Sequence, residues 1–317
     1  MPVYGLWIIS ERIREPVMMA CWLRCVLAAE ASVLVSVVAF LVSSGTADPL
    51  EAIAITSGIF LALNSCPVVV SFAISGRGSG SFPAESGKGV LSRSSVRLKE
   101  WLAFLILFIA IQPFEWLWMG DEAVDHNPAL RPVLLVHGYL CNRGFWWWMR
   151  RRLRVAGFPV ATVNLEPPRG GIDGFGEQLH TRIESLLLQT GGDRVDLVCH
   201  SMGGLAALAY LRRHGPGRVG KLVTLACPFH GSWLARLGPG GSAREMEHRN
   251  AWLNGLPDAD SLGVTVLSVW SPADNIVVPP DSSRLAGARE RLVPSLGHLA
   301  FAFSPVILQI LLGELAA

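Results

Sequence analysis

Charge is what this 317-residue sequence has least of: Asp, Glu, Lys and Arg make up 16% of it, against roughly 25% in an average soluble domain. The net charge is only +2. No Lys/Arg-rich run interleaved with aromatic residues occurs, so no nucleic-acid partner is expected. The six cysteines lack regular spacing, which supplies neither a metal motif nor a disulfide framework. Cys141 and Cys199 could be neighbours near a site, although the sequence does not establish a bridge. No ligand-spaced cluster of His, Cys, Asp or Glu argues for a metal, and no cofactor is expected.

Apolar residues are what the chain has instead. They make up 51% and are concentrated in residues 1–120. Three stretches there run from about Cys25 to Ser44, Leu50 to Ser75 and Trp101 to Met119, each near the ~20 residues that cross a bilayer. Glu30, Asn64, Pro67 and Gln112 interrupt them. Trp101, Trp116 and Trp118 stand at the ends of the third, where interfacial aromatics belong. A cleaved signal peptide competes for the first stretch, but no small-residue cleavage site closes it and two more apolar segments follow. A buried helical domain in a soluble protein competes for all three.

Lys and Arg in the flanks give an orientation. Arg12, Arg14 and Arg24 precede the first stretch, and Arg77, Lys88, Arg93, Arg97 and Lys99 lie between the second and third. Asp121, Glu122 and Asp125 follow the third. Three crossings then place the N-terminus in the cytoplasm and residues 121–317 outside a cell (inner) membrane, on the periplasmic or extracellular side.

The second half alternates strands and helices, which indicates a parallel sheet covered on both faces. Val195-Asp196-Leu197-Val198-Cys199 reads as a buried strand, broken at His200-Ser201-Met202-Gly203-Gly204 and followed by a Leu/Ala-rich helix. Such a strand–turn–helix lifts the Ser201 hydroxyl clear and aims the unpaired N–H groups of the helix start at the same point. Further strands are read at Pro132–Val136, Pro159–Leu165, Lys221–Ala226, Gly263–Trp270 and Arg291–Pro294, with a helix from Asp173 to Gln189.

The His-Ser-Met-Gly-Gly turn resembles the nucleophile elbow of bacterial lipases and esterases of the α/β-hydrolase fold. One departure is Cys199, where the G-x-S-x-G pattern has glycine. His137-Gly138-Tyr139-Leu140 after an early strand resembles the oxyanion loop of those lipases. The segment from His137 to Trp148 is similar to bacterial membrane-linked lipase/esterase-like proteins, and Cys227-Pro228-Phe229-His230-Gly231-Ser232 to another lipase turn. The resemblance implies an α/β-hydrolase fold, a mostly parallel sheet with helices on both faces, in residues 121–317. An all-α transmembrane region precedes it in 1–120, and a small lid lies around 233–257.

The resemblance also implies roles. Ser201 is the expected nucleophile, His298 the base and Asp274 the acid, in the chain order of this fold. Asp281 is a weaker acid candidate, and Asp258 and Asp260 are weaker still. Backbone N–H groups of Met202 and Tyr139 are the expected oxyanion donors. Leu140, Phe145, Trp146 and His230 are candidates for substrate contact, with His137 bracing its loop. For the tryptophan cluster, core packing, an acyl-chain wall and a membrane contact all stay open. Arg150-Arg151-Arg152 reads as a solvated face, with contact to anionic headgroups as the sharper alternative.

The expected activity is hydrolysis of carboxylic esters, lipid-like ones in particular, by a membrane-anchored serine hydrolase whose partners are its ester and the membrane. Acyl transfer on the same three residues is the chemical alternative. A non-catalytic partner-binding module is the alternative of a different class, although all three reacting positions are occupied. A transport role for the apolar region lacks an intramembrane charged cluster to carry it.

Overall fold

A computed structural model describes residues 17–78, 90–124 and 127–317. Of the residues behind the orientation reading, Arg12, Arg14, Lys88 and Asp125 lie outside the described residues. Helices α1 (Met18–Ser43) and α2 (Pro49–Gly78) pack on each other as a hairpin closed by a short turn. Helix α3 (Val90–Leu105) runs on through a π-helical turn (Ile106–Ile111), a 3-10 turn (Gln112–Phe114) and α4 (Glu115–Met119). All three apolar stretches are long enough to cross a membrane, which supports membrane association.

The third differs from the others in its surroundings. Of its apolar window 39% is buried inside the protein, against 0% for α1 and 11% for α2. Ala103 and Leu107 belong to the core of the sheet domain. The same run also exposes Leu102, Ile106, Trp116 and Leu117.

The rest of the chain builds one six-stranded sheet. Strand β1 (Val133–Val136) is followed by α5 (Trp147–Val155), β2 (Val160–Val163), α6 (Ile172–Thr190), β3 (Val195–His200) and α7 (Met202–His214). Next come β4 (Val219–Leu225), α8 (Gly241–Glu245), α9 (Ala251–Asn254), β5 (Thr265–Trp270), β6 (Arg289–Leu292) and α10 (Pro305–Ala316). The spatial order is β2-β1-β3-β4-β5-β6, and every neighbouring pair is parallel. The expected architecture, a parallel sheet with helices on both faces, is what forms.

The central strands read as unbroken apolar runs because both of their faces are covered. Leu134, Val136, Leu197 and Cys199 point into the core made with α6 and α7. Val133, Leu135, Val198 and Val223 point into the core made with α5 and α10. On α6 the buried stripe includes Phe175, Leu179, Ile183, Leu186 and Leu187, which recur at helical spacing. Each such side chain contributes about 1.5–3 kcal/mol when fully buried.

The strand order also positions a site. From β1 the chain moves to β2 on one side and then returns past it to β3 on the other. Loops leaving β1 and β3 therefore diverge, and a crevice opens at the carboxyl ends of those strands. Val136 is paired with Cys199 across the ladder, so His137 and His200 enter that crevice side by side.

Two expectations need correction. Cys141 and Cys199 are not neighbours, since they lie in cores on opposite faces of the sheet. The thiol facing Cys199 is Cys227, and all three are free. Arg150 is not on a solvated face: it is buried, and its guanidinium donates to the carbonyls of Met119 and Asp121. Arg151 and Arg152 are exposed as expected.

Candidate active site

Ser201 stands between β3 and α7 with φ 53° and ψ −127°. A non-glycine residue at positive φ is strained by about 1–3 kcal/mol and persists only where its surroundings hold it. Here the Ser201 N–H donates to the Leu225 carbonyl at 2.9 Å, and the Ser201 carbonyl accepts from Gly204 N at 3.0 Å. Met202 is the first residue of α7, so its N–H has no acceptor within the helix. Gly203 explains how close the helix can come. A Cβ on it would lie 2.7 Å from the carbonyl oxygens of both Val136 and His137.

The loop after β1 passes beside the serine. A Cβ on Gly138 would sit 2.8 Å from Ser201 Cβ, which no side chain tolerates. His137 holds this loop as expected. Its Nε2 accepts from Leu165 N at 3.0 Å, so its proton is on Nδ1, 2.9 Å from the Gly138 carbonyl. Burial pushes its pKa down to about 4, so it stays a neutral brace. Tyr139 reaches across to the segment after β4, its hydroxyl donating to the Pro239 carbonyl at 2.6 Å. The segment expected as a lid, 233–257, consists of a 3-10 turn (Trp233–Leu237), α8 and α9, and Tyr139 ties it to the loop after β1.

Asp274 and His298 come together at the same end of the sheet. His298 Nδ1 donates to Asp274 Oδ2 at 2.8 Å, and both side chains are buried. The other carboxylate oxygen accepts from Ile276 N at 2.8 Å and Val277 N at 2.9 Å. With its proton on Nδ1, the imidazole keeps the Nε2 lone pair for another partner. Burial works to lower the His298 pKa, but the Asp274 charge, its hydrogen bond and the charge of Glu100 outweigh it and hold the group above its usual value. Among the described residues the Ser201 hydroxyl makes no hydrogen bond, and Ser201 is 6% exposed. Catalytic hydrogen bonds commonly tighten only when substrate is bound.

Several residues supporting these three were not singled out from the sequence. His200 Nε2 donates to the His298 carbonyl at 3.1 Å, and its ring stacks on Phe145 at 4.2 Å. Burial holds its pKa well below the usual value. Asn275 Oδ1 accepts from His298 N at 3.1 Å, while its Nδ2 donates to Ser71 Oγ of α2 at 2.7 Å. Ser75 Oγ of the same helix donates to the Asp274 carbonyl at 3.3 Å. Ser232 Oγ donates to the Ile276 carbonyl and accepts from Val278 N. A serine in an apolar helix carries no local signal of such a contact.

The expected substrate-contact residues separate. Leu140 is half-buried at φ 50°, next to Tyr139 in the loop. Phe145 and Trp146 are 0% exposed and pack inside the core. Their rings meet each other and His200, so they support the histidine platform rather than face an open pocket. His230 is exposed, with its backbone N–H turned to Ser282. Asp281 is also exposed, outside the buried pair that Asp274 makes. Among the described residues no cluster of three metal-ligating side chains occurs.

The deletion of a side chain at one further position accommodates Cys227. A Cβ on Gly204 would meet the Cys227 sulfur at 2.5 Å, so the elbow helix leaves that space to the thiol. Burial raises the pKa values of both Cys199 and Cys227. Cys199 thus behaves as a small core side chain behind the serine, not as a reactive thiol.

Residues 131–237 match the family model for the alpha/beta hydrolase fold. A triacylglycerol lipase of Burkholderia plantarii is 34% identical over 122 residues, covering 36% of this chain and 34% of the relative. One of Pseudarthrobacter phenanthrenivorans is 33% identical over 112 residues, covering 33% and 35%. The chain spans about a third of the length of these curated relatives. Among solved structures, Aspergillus fumigatus lipase B superposes with a TM-score of 0.56 at 15% identity, covering 89% of this chain and 85% of that one. The mature Bacillus licheniformis lipase BlEst2 gives 0.54 at 18% identity, covering 62% and 97%. At these identities the superpositions show the fold alone.

Proposed function

We propose, from the premise that this chain has the α/β-hydrolase fold and is lipase- and esterase-like, that it is a membrane-associated serine hydrolase of carboxylic esters. The observation that carries the proposal is the buried Asp274–His298 pair, oriented at 2.8 Å, at the same end of the sheet as the strained Ser201. In this reading His298 Nε2 takes the Ser201 proton as Oγ attacks the ester carbonyl carbon. Asp274 fixes the tautomer and stabilises the imidazolium. The N–H groups of Met202 and Tyr139 receive the tetrahedral oxyanion, each worth roughly 3–4 kcal/mol in comparable sites. His298 then protonates the leaving alcohol, and water releases the acyl group by the same steps in reverse order.

Lipid-like esters are the proposed substrates. The similar bacterial proteins are named triacylglycerol lipases, and α1 and α2 present apolar side chains along their length, Val33, Val35, Phe40, Ile53 and Leu63 among them. Such a pair is suited to bilayer insertion. The Lys and Arg of the flanks support a cytoplasmic N-terminus.

The test is hydrolysis of an ester series from short to long acyl chains by the detergent-solubilised protein, beside Ser201→Ala, with a fluorophosphonate label on both. Activity and labelling that vanish in the variant are expected, with an optimum at long chains. A folded parent that neither labels nor hydrolyses any ester overturns the reading. Products of esterification in the presence of an added alcohol would favour acyl transfer instead.

A further inference from the structure

We propose that the third apolar run is part of the catalytic machinery, with Glu100 positioning the His298 turn and Gln112 positioning the oxyanion loop. The inference rests on the hydrolase reading above and adds to it two residues from the region that sequence assigns to anchoring.

Glu100 is 0% exposed, and no Lys or Arg pairs with it among the described residues. Removing a carboxylate from water costs several kcal/mol unless hydrogen bonds offset it. Those bonds come from the two residues after His298. Leu299 N donates to Oε1 at 2.9 Å and Oε2 at 3.0 Å, and Ala300 N donates to Oε2 at 2.9 Å. These amides open the 3-10 turn Leu299–Phe303, where N–H groups lack acceptors within the turn. On the other side of His298, a Cβ on Gly297 would lie 2.5 Å from Glu100 Oε2. The chain is therefore wrapped against one carboxylate immediately before and after the histidine, which sets where its ring can be.

Gln112 does the same for the loop after β1. Its Oε1 accepts from Asn142 N and its main-chain carbonyl accepts from Asn142 Nδ2, both at 2.8 Å. Asn142 in turn caps the turn that closes the oxyanion loop, accepting from Gly144 N at 2.9 Å. The Gln112 carbonyl is available because the helix there passes from a π-helical to a 3-10 turn at Pro113. Irregular turns of this kind release backbone groups from the helical ladder. One continuous run thus holds the base at its start and the oxyanion loop about three turns later, fixing the distance between them.

The experiment compares the full chain with Glu100→Ala, Glu100→Gln, Gln112→Ala and Ser201→Ala, each solubilised, on the ester that the parent cleaves fastest. Glu100→Ala is expected to lower kcat by about tenfold or more, since sub-ångström misplacement of a reacting group has effects of that order. Its KM should stay within about twofold, because ester contacts are untouched. Glu100→Gln should recover most of the rate, as one amide oxygen in the place of Oε2 can accept both N–H groups. Gln112→Ala should lower kcat without moving the melting temperature enough to unfold the protein.

Parental kcat in folded Glu100→Ala overturns the proposal. So does an equal loss in Glu100→Ala and Glu100→Gln that merely tracks a lowered melting temperature. If Glu100→Ala does not fold, parental kcat in folded Gln112→Ala overturns it. A parent no faster than Ser201→Ala is a failure of the hydrolase reading, and the two are distinguished by that pair.

Discussion

Substituting Gly203 by alanine should be far more damaging than one methyl group suggests. The added Cβ would lie 2.7 Å from two carbonyl oxygens, those of Val136 and His137, where ordinary contact begins at 3.4 Å. The shortfall is about 0.7 Å, and both oxygens are backbone at the end of β1, which is paired on both sides. They cannot turn aside as a side chain would. The start of α7 must retreat instead, carrying Ser201 and the Met202 N–H with it. Overpacking of this kind costs about 1–3 kcal/mol of stability, and a shift approaching 1 Å at the reacting groups costs up to ~100-fold in rate. Gly174 is the control: a Cβ there meets nothing within 4 Å, and an alanine in helix α6 should stabilise by roughly 0.5–1 kcal/mol. Melting temperature and the rate of fluorophosphonate labelling would be measured for both variants. A Gly203→Ala protein as stable and as quickly labelled as the parent would refute the packing argument at the elbow.

Other expectations rest on the same structure. Because His298 is held above its ordinary 6.5 and must be neutral to act as the base we propose, the acid limb of kcat/KM should fall above pH 6.5. Asp274→Asn should move that limb downward while lowering kcat by about 10⁴-fold, and an unmoved limb would dissociate the pair from catalysis. Stability has the opposite sense: the raised pKa contributes fully below 6.5 and its contribution is lost as pH rises through the folded value. Glu115 and Arg143 are a buried ion pair, and Arg143 also meets Glu122 at 3.3 Å, so Glu115→Gln, which leaves that second carboxylate in place, should destabilise by about 1–3 kcal/mol, read by thermal unfolding. An unchanged melting temperature would contradict that. Counting α3 with the hydrolase, because of its buried face, leaves two crossings and puts both ends of the chain on one side. Protease protection of tags at the two ends should then agree, whereas three crossings would make them differ.

What could be read from the sequence was whatever is written locally. A strand, a serine and small residues in immediate succession make a tight strand-to-helix turn, so the placement of Ser201 and Met202 between β3 and α7 is legible. Asp274 and His298 each come after a short strand with recognisable turn residues, and the structure brings those two together. Contacts made across long separations left no such trace. Glu100 directly follows Lys99 in sequence, as one more charge before the third run, and its meaning depends on amides 199 and 200 residues further on. Phe145 and Trp146 suit a wall or a core equally well by composition, and only their full burial around His200 decides for the core. Hydropathy reports length and apolarity, which the third run shares with α1 and α2. It cannot report that one face is given to protein.

The placement of Ser71 and Ser75 of α2 against Asn275 and Asp274 has a kinetic consequence if the hairpin is inserted as proposed. The reacting groups then sit at the base of helices whose sides are wetted by lipid, so an ester can arrive by diffusing in two dimensions without first dissolving in water. For such an enzyme the governing concentration is the mole fraction of ester in the surface. Diluting the ester with inert lipid at constant bulk molarity would slow turnover, and adding water alone would not.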